Sequence, residues 1–357
     1  MRKCCLILSL SIFLLPFSAC KKDSSRAVKP AQTVSLNKNL LAFSIDGQLI
    51  GATIDTVHHQ IHAVVPRAFD MHKLTVNFSL SPGTGVKINN AAAATGIVSD
   101  FSQPVNFTLL SADSKTSLNF QVYVNTDLQY FGVLGHIISE NSLNRSYAFY
   151  IDQFDGSQYQ GINCGPTVST MAIKWADSTF TKTPVDARTR IPEAGGWWYT
   201  SDIQFYLAQN NINTAVDTLD NVAAVVKKSI DNGNLVIVCL DMFSVPRNEA
   251  DYQHVQKFYD TQSAGWGHFL LVKGYKQTDA NFYLEIYDPY SNHNKYSVIT
   301  NGQLKGQDRY YVDYSIKSAT SIWWPYAIIV SPKGQTVTSS KIRLNSLHKP
   351  VPVASGK

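Results

Sequence analysis

Three residues in the second half of the chain have the types and surroundings that covalent catalysis needs. The run Gln158-Tyr159-Gln160-Gly161-Ile162-Asn163-Cys164-Gly165-Pro166 leads straight into a segment whose apolar residues, Val168, Met171, Ala172 and Trp175, fall at helical spacing. Cys164 therefore begins a helix. Pro166 suits a first-turn position, where a missing N–H costs nothing. The partial positive charge of a helix N-terminus favours the thiolate, the nucleophilic form of cysteine. Such a nucleophile needs a base, and Gly265-Trp266-Gly267-His268 followed by Phe269-Leu270-Leu271-Val272 sets a histidine at the mouth of a core strand. The glycines let backbone or substrate come close. Next, Leu284-Glu285-Ile286-Tyr287 ends in Asp288-Pro289, where proline stops the strand and holds the aspartate extended. If the two strands are antiparallel neighbours, Asp288 can meet the second imidazole nitrogen of His268. The bland alternatives are a helix-capping cysteine without reactivity and an ordinary Asp-Pro turn.

These residues need a scaffold of helices and strands, and the pattern from about Tyr130 supplies one. Ile203, Tyr206 and Leu207 repeat at helical spacing, as do Val222, Val225, Val226 and Ile230, which stop at Asn232-Gly233. Leu235 to Leu240, Phe269 to Val272, Phe282 to Tyr287 and Tyr326 to Val330 are short β-rich runs. The expected domain is α+β, helices first and an antiparallel sheet after. Cys239 lies inside the apolar Leu235 to Leu240 run, which suits a small buried residue in a core strand. Trp197-Trp198-Tyr199, after Gly195-Gly196, can wall a substrate groove, although aromatic clusters are more often core. The segment Asp241 to Ala264 is long, and its Asp251 and His254 read as loop residues rather than as catalytic partners.

The first half has a different pattern. With 357 residues, 44% of them hydrophobic and 16% charged, the chain is globular and long enough for two domains. From Ser35 to Val124, short alternating segments such as Leu74 to Leu80, Val105 to Leu109 and Leu118 to Val124 are separated by turn residues, the pattern of an all-β sandwich. Through Phe43-Ser44-Ile45-Asp46-Gly47 and the final Phe120-to-Val124 strand, it resembles the immunoglobulin-like modules near the N-termini of surface lipoproteins from Bacteroidetes-type bacteria. His58, His59, His62 and His72 lack a carboxylate or thiol at metal-site spacing, so they read as solvated histidines and no metal is expected.

The N-terminus carries an export signal. Met1-Arg2-Lys3 is basic, Leu6 to Phe17 is apolar but short for a membrane span, and Ser18-Ala19-Cys20 resembles the lipobox of bacterial lipoproteins. That resemblance implies a lipidated Cys20 and anchorage in the cell envelope; the alternative is an ordinary secretory signal. Cys4 and Cys5 leave with the signal, so Cys164 and Cys239 remain as thiols, and an export compartment also permits a disulfide between them. The expected boundaries are a signal at 1–19, a tether at 20–34, the β-sandwich at 35–125, the α+β domain at 130–332 and a polar tail at 333–357.

A glutamine six positions before Cys-Gly at a helix start, then Gly-His before an apolar strand, then Asp-Pro after the next strand is an ordered set similar to the C39-like family of papain-fold cysteine peptidases. The resemblance covers about Phe154 to Val330. It implies a Cys-His-Asp triad of Cys164, His268 and Asp288, and it implies that Gln158 joins the Cys164 backbone N–H in the oxyanion hole. Peptide or isopeptide hydrolysis without a cofactor is the expected activity, on a peptide or protein substrate. An acyl transferase on the same triad and an inactive papain-like binding module are the alternatives. A net charge of +5 without a basic block interleaved with aromatics gives no support to nucleic-acid binding.

Overall fold

A computed structural model of the chain describes residues 38–192, 196–300 and 302–337. The leader with Cys20, Gly195 and the tail beyond 337 lie outside the described residues.

The alternating segments of the first half form strands β1 (Leu40–Ile45), β2 (Ile50–Asp55), β3 (Gln60–Val65), β4 (Leu74–Leu80), β5 (Gly85–Ile88), β6 (Ala91–Ala92), β7 (Ile97–Ser99), β8 (Val105–Leu110) and β9 (Ser117–Thr126). One sheet has the order β1-β4-β7, the other β2-β3-β9-β8-β5-β6. The period-2 pattern explains the packing, because alternate residues such as Val105, Phe107 and Leu109 are buried while their neighbours are not. Phe107 meets Phe43 and Phe78 of the opposite sheet edge-to-face at 5.7 and 5.2 Å, inside a core that both sheets share. The histidines are spread over separate partners: His58 bonds Asp55, His72 bonds Asp100, His62 stacks on Tyr123 and His59 meets Phe120 edge-on.

The chain passes from β9 directly into the short helix α1 (Asp127–Tyr130), closed by a capping box between Thr126 and Gln129. Leu128 and Val133 pack with Val255, Tyr283, Tyr310 and Val312 of the second half. Arg67 of the β-domain pairs with Glu140, which also pairs with Lys276. The two halves are therefore docked at their junction.

The second half contains β10 (Ile137–Ser142), α2 (Cys164–Ala176), α3 (Pro184–Arg190), α4 (Thr200–Gln209), β11 (Thr214–Thr218), α5 (Val222–Asp231), β12 (Leu235–Asp241), β13 (Gly267–Thr278), β14 (Phe282–Tyr287), β15 (Arg309–Val312), α6 (Asp313–Ile322) and β16 (Tyr326–Val330). An antiparallel sheet has the order β11-β16-β12-β13-β14-β15, and β10 pairs with the far end of β13. In β12, Leu235, Ile237 and Cys239 pack with α2 and α4, while Val236, Val238 and Leu240 pack with α5 and α6. Covering both faces explains why that strand is an unbroken apolar run. Helix α5 ends at Asn232-Gly233, with Gly233 at φ +75°, the left-handed conformation that glycine adopts most easily.

The α+β class agrees with the sequence reading, but the order of elements is interleaved rather than helices first. β10 precedes α2 to α6, β11 lies between α4 and α5, and α6 separates β15 from β16. β10 is largely unburied and β11 only partly buried, so neither carries the apolar run by which a core strand is recognised.

Candidate active site

Cys164 is the first residue of α2 and Pro166 the third, so the nucleophile candidate stands where the helix dipole is strongest. The site is less open than its glycine-flanked sequence suggests: Cys164 is 5% exposed. The covering groups are tryptophans. A side chain at Gly165 would come within 2.8 Å of Trp198, and one at Gly267 would run into the Trp323 ring. Glycine at both positions leaves room for Trp198 and Trp323 in the lining of the cleft that holds Cys164.

His268 stands at the start of β13 and Asp288 one residue past β14, on neighbouring antiparallel strands. The imidazole Nε2 lies 2.7 Å from Asp288 Oδ1, and both side chains are buried. Cys164 borders the same cleft as His268, whose charge and hydrogen-bonding act on the thiol. Since Nε2 is engaged by Asp288, Nδ1 is the ring nitrogen left for the sulfur. The structure thus brings all three sequence-predicted residues together.

Asp288 is wholly buried, and four donors hold it. Oδ1 also accepts from the Tyr290 N–H at 2.9 Å, while Oδ2 accepts from Tyr259 Oη at 3.0 Å and Tyr311 Oη at 2.8 Å. Burial alone would raise its pKa, but the His268 charge and these bonds outweigh it and keep the carboxyl below its usual range. Burial and the Asp288 charge push both tyrosines well above theirs, so they remain neutral donors. Neither tyrosine was expected from sequence. Tyr259 comes from the long segment between β12 and β13, which therefore has a task at the site.

The electrostatics favour an ion pair. Burial works against an imidazolium at His268, yet the Asp288 charge and hydrogen bond, joined by Cys164, raise its pKa to about 10. Burial also works against a thiolate at Cys164, but the His268 bond and charge, with the Phe269 and Gly165 backbone N–H groups, bring the thiol below its ordinary value. The two shifts agree in direction: each favours thiolate beside imidazolium.

Trp197, Trp198, Trp323 and Trp324 line the cleft with Cys164 and His268, and Cys239 also borders it. About 20 Å³ of it is free for water, room for little more than one molecule. The Trp197-Trp198 pair thus lies where the sequence allowed a groove wall, whereas Trp323 and Trp324, just before the β16 run, carry no local sequence signal for that place. Cys164 and Cys239 are both free thiols, so no disulfide joins them.

Gln158 is exposed, in the turn ahead of a 3-10 turn at Gln160–Ile162, and does not border the cleft. The turn is organised by its neighbours: Gln153 Nε2 donates to Gln160 O, and Gln160 Oε1 accepts from the Gly156 N–H. His254 lies in a loop, as read from the sequence, but is buried. Its ring is sandwiched between Phe131 and Tyr296 at 3.9 Å on each side, and burial holds its pKa down to about 3. Asp251 pairs with Lys305.

Residues 147–323 match the family described as Peptidase_C39 like family, and residues 40–124 match SGBP, N-terminal. No curated protein matches the chain. Among solved structures, a protein of Bacillus anthracis described as a C39-like peptidase is 14% identical, with 55% of this chain and 100% of that one covered and a TM-score of 0.37. The peptidase domain of Streptococcus ComA, a bi-functional ABC transporter, is 14% identical over 51% of this chain and 97% of that one, with a TM-score of 0.30. A protein of Bacteroides fragilis described as secreted is 19% identical over 21% of this chain and 68% of that one, with a TM-score of 0.18. The chain thus carries a Peptidase_C39-like domain behind an SGBP N-terminal module.

Proposed function

We propose that this is an exported, lipid-anchored cysteine peptidase that cleaves peptide or isopeptide bonds through Cys164, His268 and Asp288. The observation that carries the reading is the buried group of thiol, imidazole and carboxylate, with the thiol lowered and the imidazole raised. In this mechanism the Cys164 thiolate attacks the scissile carbonyl carbon, and the negative charge moves to the carbonyl oxygen beside the start of α2. His268 gives its proton to the leaving amine, which departs and leaves a thioester on Cys164. The neutral imidazole then takes a proton from water, whose oxygen attacks the thioester, and a free carboxylate is released. The Cys164 N–H is the proposed first donor to the oxyanion. Gln158 serves as the second if its side chain swings from solvent into the cleft on substrate binding. Export and anchoring through Cys20 rest on the basic start, the short apolar stretch and Ser18-Ala19-Cys20.

The test is product analysis of the purified chain acting on a peptide library, with and without an added primary amine. Hydrolysis predicts new free carboxyl termini that persist with the amine present and vanish in Cys164→Ala. Products capped by the amine would replace hydrolysis with acyl transfer, and no product at all would favour a binding module.

A further inference from the structure

Arg188 of α3 is buried, and its guanidinium bonds neutral oxygens. Nε donates to Asn163 Oδ1 at 2.8 Å, Nη2 to Ile162 O at 2.7 Å and Nη1 to Gly196 O, while the group lies over the Tyr159 ring at 4.9 Å. Burying a guanidinium is costly unless its donors are satisfied. What satisfies them here are the two residues before the nucleophile and the turn before Trp197-Trp198.

Asn163 occupies the N-cap position of α2, where asparagine normally accepts from a first-turn N–H. It makes no such bond. Its Oδ1 is engaged by Arg188 and its Nδ2 donates to Asp155 at 3.1 Å. Pro166, third in the helix, has no N–H to be capped. Gly165, second in the helix, supplies one of the N–H groups beside the Cys164 sulfur. An asparagine that turned to cap would compete for that group.

We infer that Arg188 is a positioning residue for the reaction: it holds the Asn163 side chain off the start of α2. The Cys164 and Gly165 N–H groups then stay available to oxyanion and sulfur, and the nucleophile's loop is locked to the tryptophan wall. The inference rests on Cys164 acting as the nucleophile, but its readout does not require turnover.

The experiment follows iodoacetamide alkylation of Cys164 against pH in the full chain. In Arg188→Met, Asn163 is released to cap, so the alkylation midpoint should rise by about one pH unit, the scale of one lost hydrogen bond to a charge. On any cleaved peptide, kcat should fall more than KM rises, about tenfold or more. Arg188→Lys keeps the charge without the planar fork and should leave the midpoint raised. Adding Asn163→Ala to Arg188→Met removes the competing cap and should bring the midpoint back towards wild type. If Arg188→Met does not fold, as judged by its melting transition, Arg188→Lys with and without Asn163→Ala makes the same comparison. An unmoved midpoint in the variants, full rescue by lysine, or a double variant as shifted as the single would each overturn the inference. An ordinary thiol in the wild type would instead defeat the nucleophile reading itself.

Discussion

Cys164 and Cys239 border the same cleft, are equally buried and carry the same functional group, yet their surroundings drive them in opposite directions. Burial and the neighbouring Cys164 charge push the Cys239 thiol well above its ordinary value. At Cys164 the same burial is overcome by the His268 charge and hydrogen bond and by two backbone N–H groups, that of Gly165 at the helix start and that of Phe269 in β13. Depth alone therefore does not decide the direction in which a thiol's pKa moves here. The oriented donors around the sulfur decide it, and those donors come from α2 and β13, whereas Cys239 sits mid-strand among apolar neighbours.

The largest expected effect breaks the comparison at its active end. His268→Ala should reduce turnover to background, a loss of roughly 10⁴-fold or more, because it removes the base and the charge that holds the thiolate. Cys239→Ala should retain turnover within a few-fold; a comparable loss there would mean that the comparison assigns the wrong thiol.

Asp288→Asn tests how the imidazole is held. The His268 pKa is raised to about 10 chiefly by the Asp288 carboxylate, so the imidazolium should persist to high pH in the wild type. Removing the charge lets His268 lose its proton at lower pH, and the alkaline limb of the kcat/KM profile should fall from near 10 towards 6.5. Residual activity should remain, reduced by about 10³ to 10⁴. An alkaline limb that stays in place would show that Asp288 does not set the imidazole.

Smaller effects belong to the tyrosines. Tyr259→Phe and Tyr311→Phe each remove one donor from a buried carboxylate, worth about 1.5 to 3 kcal/mol. Asp288 then moves towards its ordinary value and supports the imidazolium less, so the alkaline limb should shift down by less than in Asp288→Asn. Coinciding wild-type and variant profiles would make these hydroxyls bystanders.

The uneven legibility of the site has a physical reason. Cys164 at a helix start, His268 at a strand mouth and Asp288 before proline announce themselves through local signals, because periodicity and backbone chemistry act within a few residues. Arg188 lies 25 residues from its acceptor Asn163, and Tyr259 lies 29 from Asp288. Such contacts are set by how elements pack, and neither residue type nor spacing marks them. The same holds for the fold. The core run of β12 was plain, while β10, with Ile138 63% exposed, and the short α3 carry too little apolar pattern to stand out. Gln158 shows the converse, since a position matched to a family motif lies in solvent here.

The most direct test of the central claim is the alkylation rate of each cysteine, measured by peptide mapping across pH 5 to 10 in the folded chain. The oriented donors predict that Cys164 reacts fast and reaches its plateau well below the ordinary thiol pKa of about 8.5. Cys239 should stay unmodified until the chain is unfolded. A Cys164 rate that rises only near pH 8.5, or two cysteines that react alike, would contradict the account.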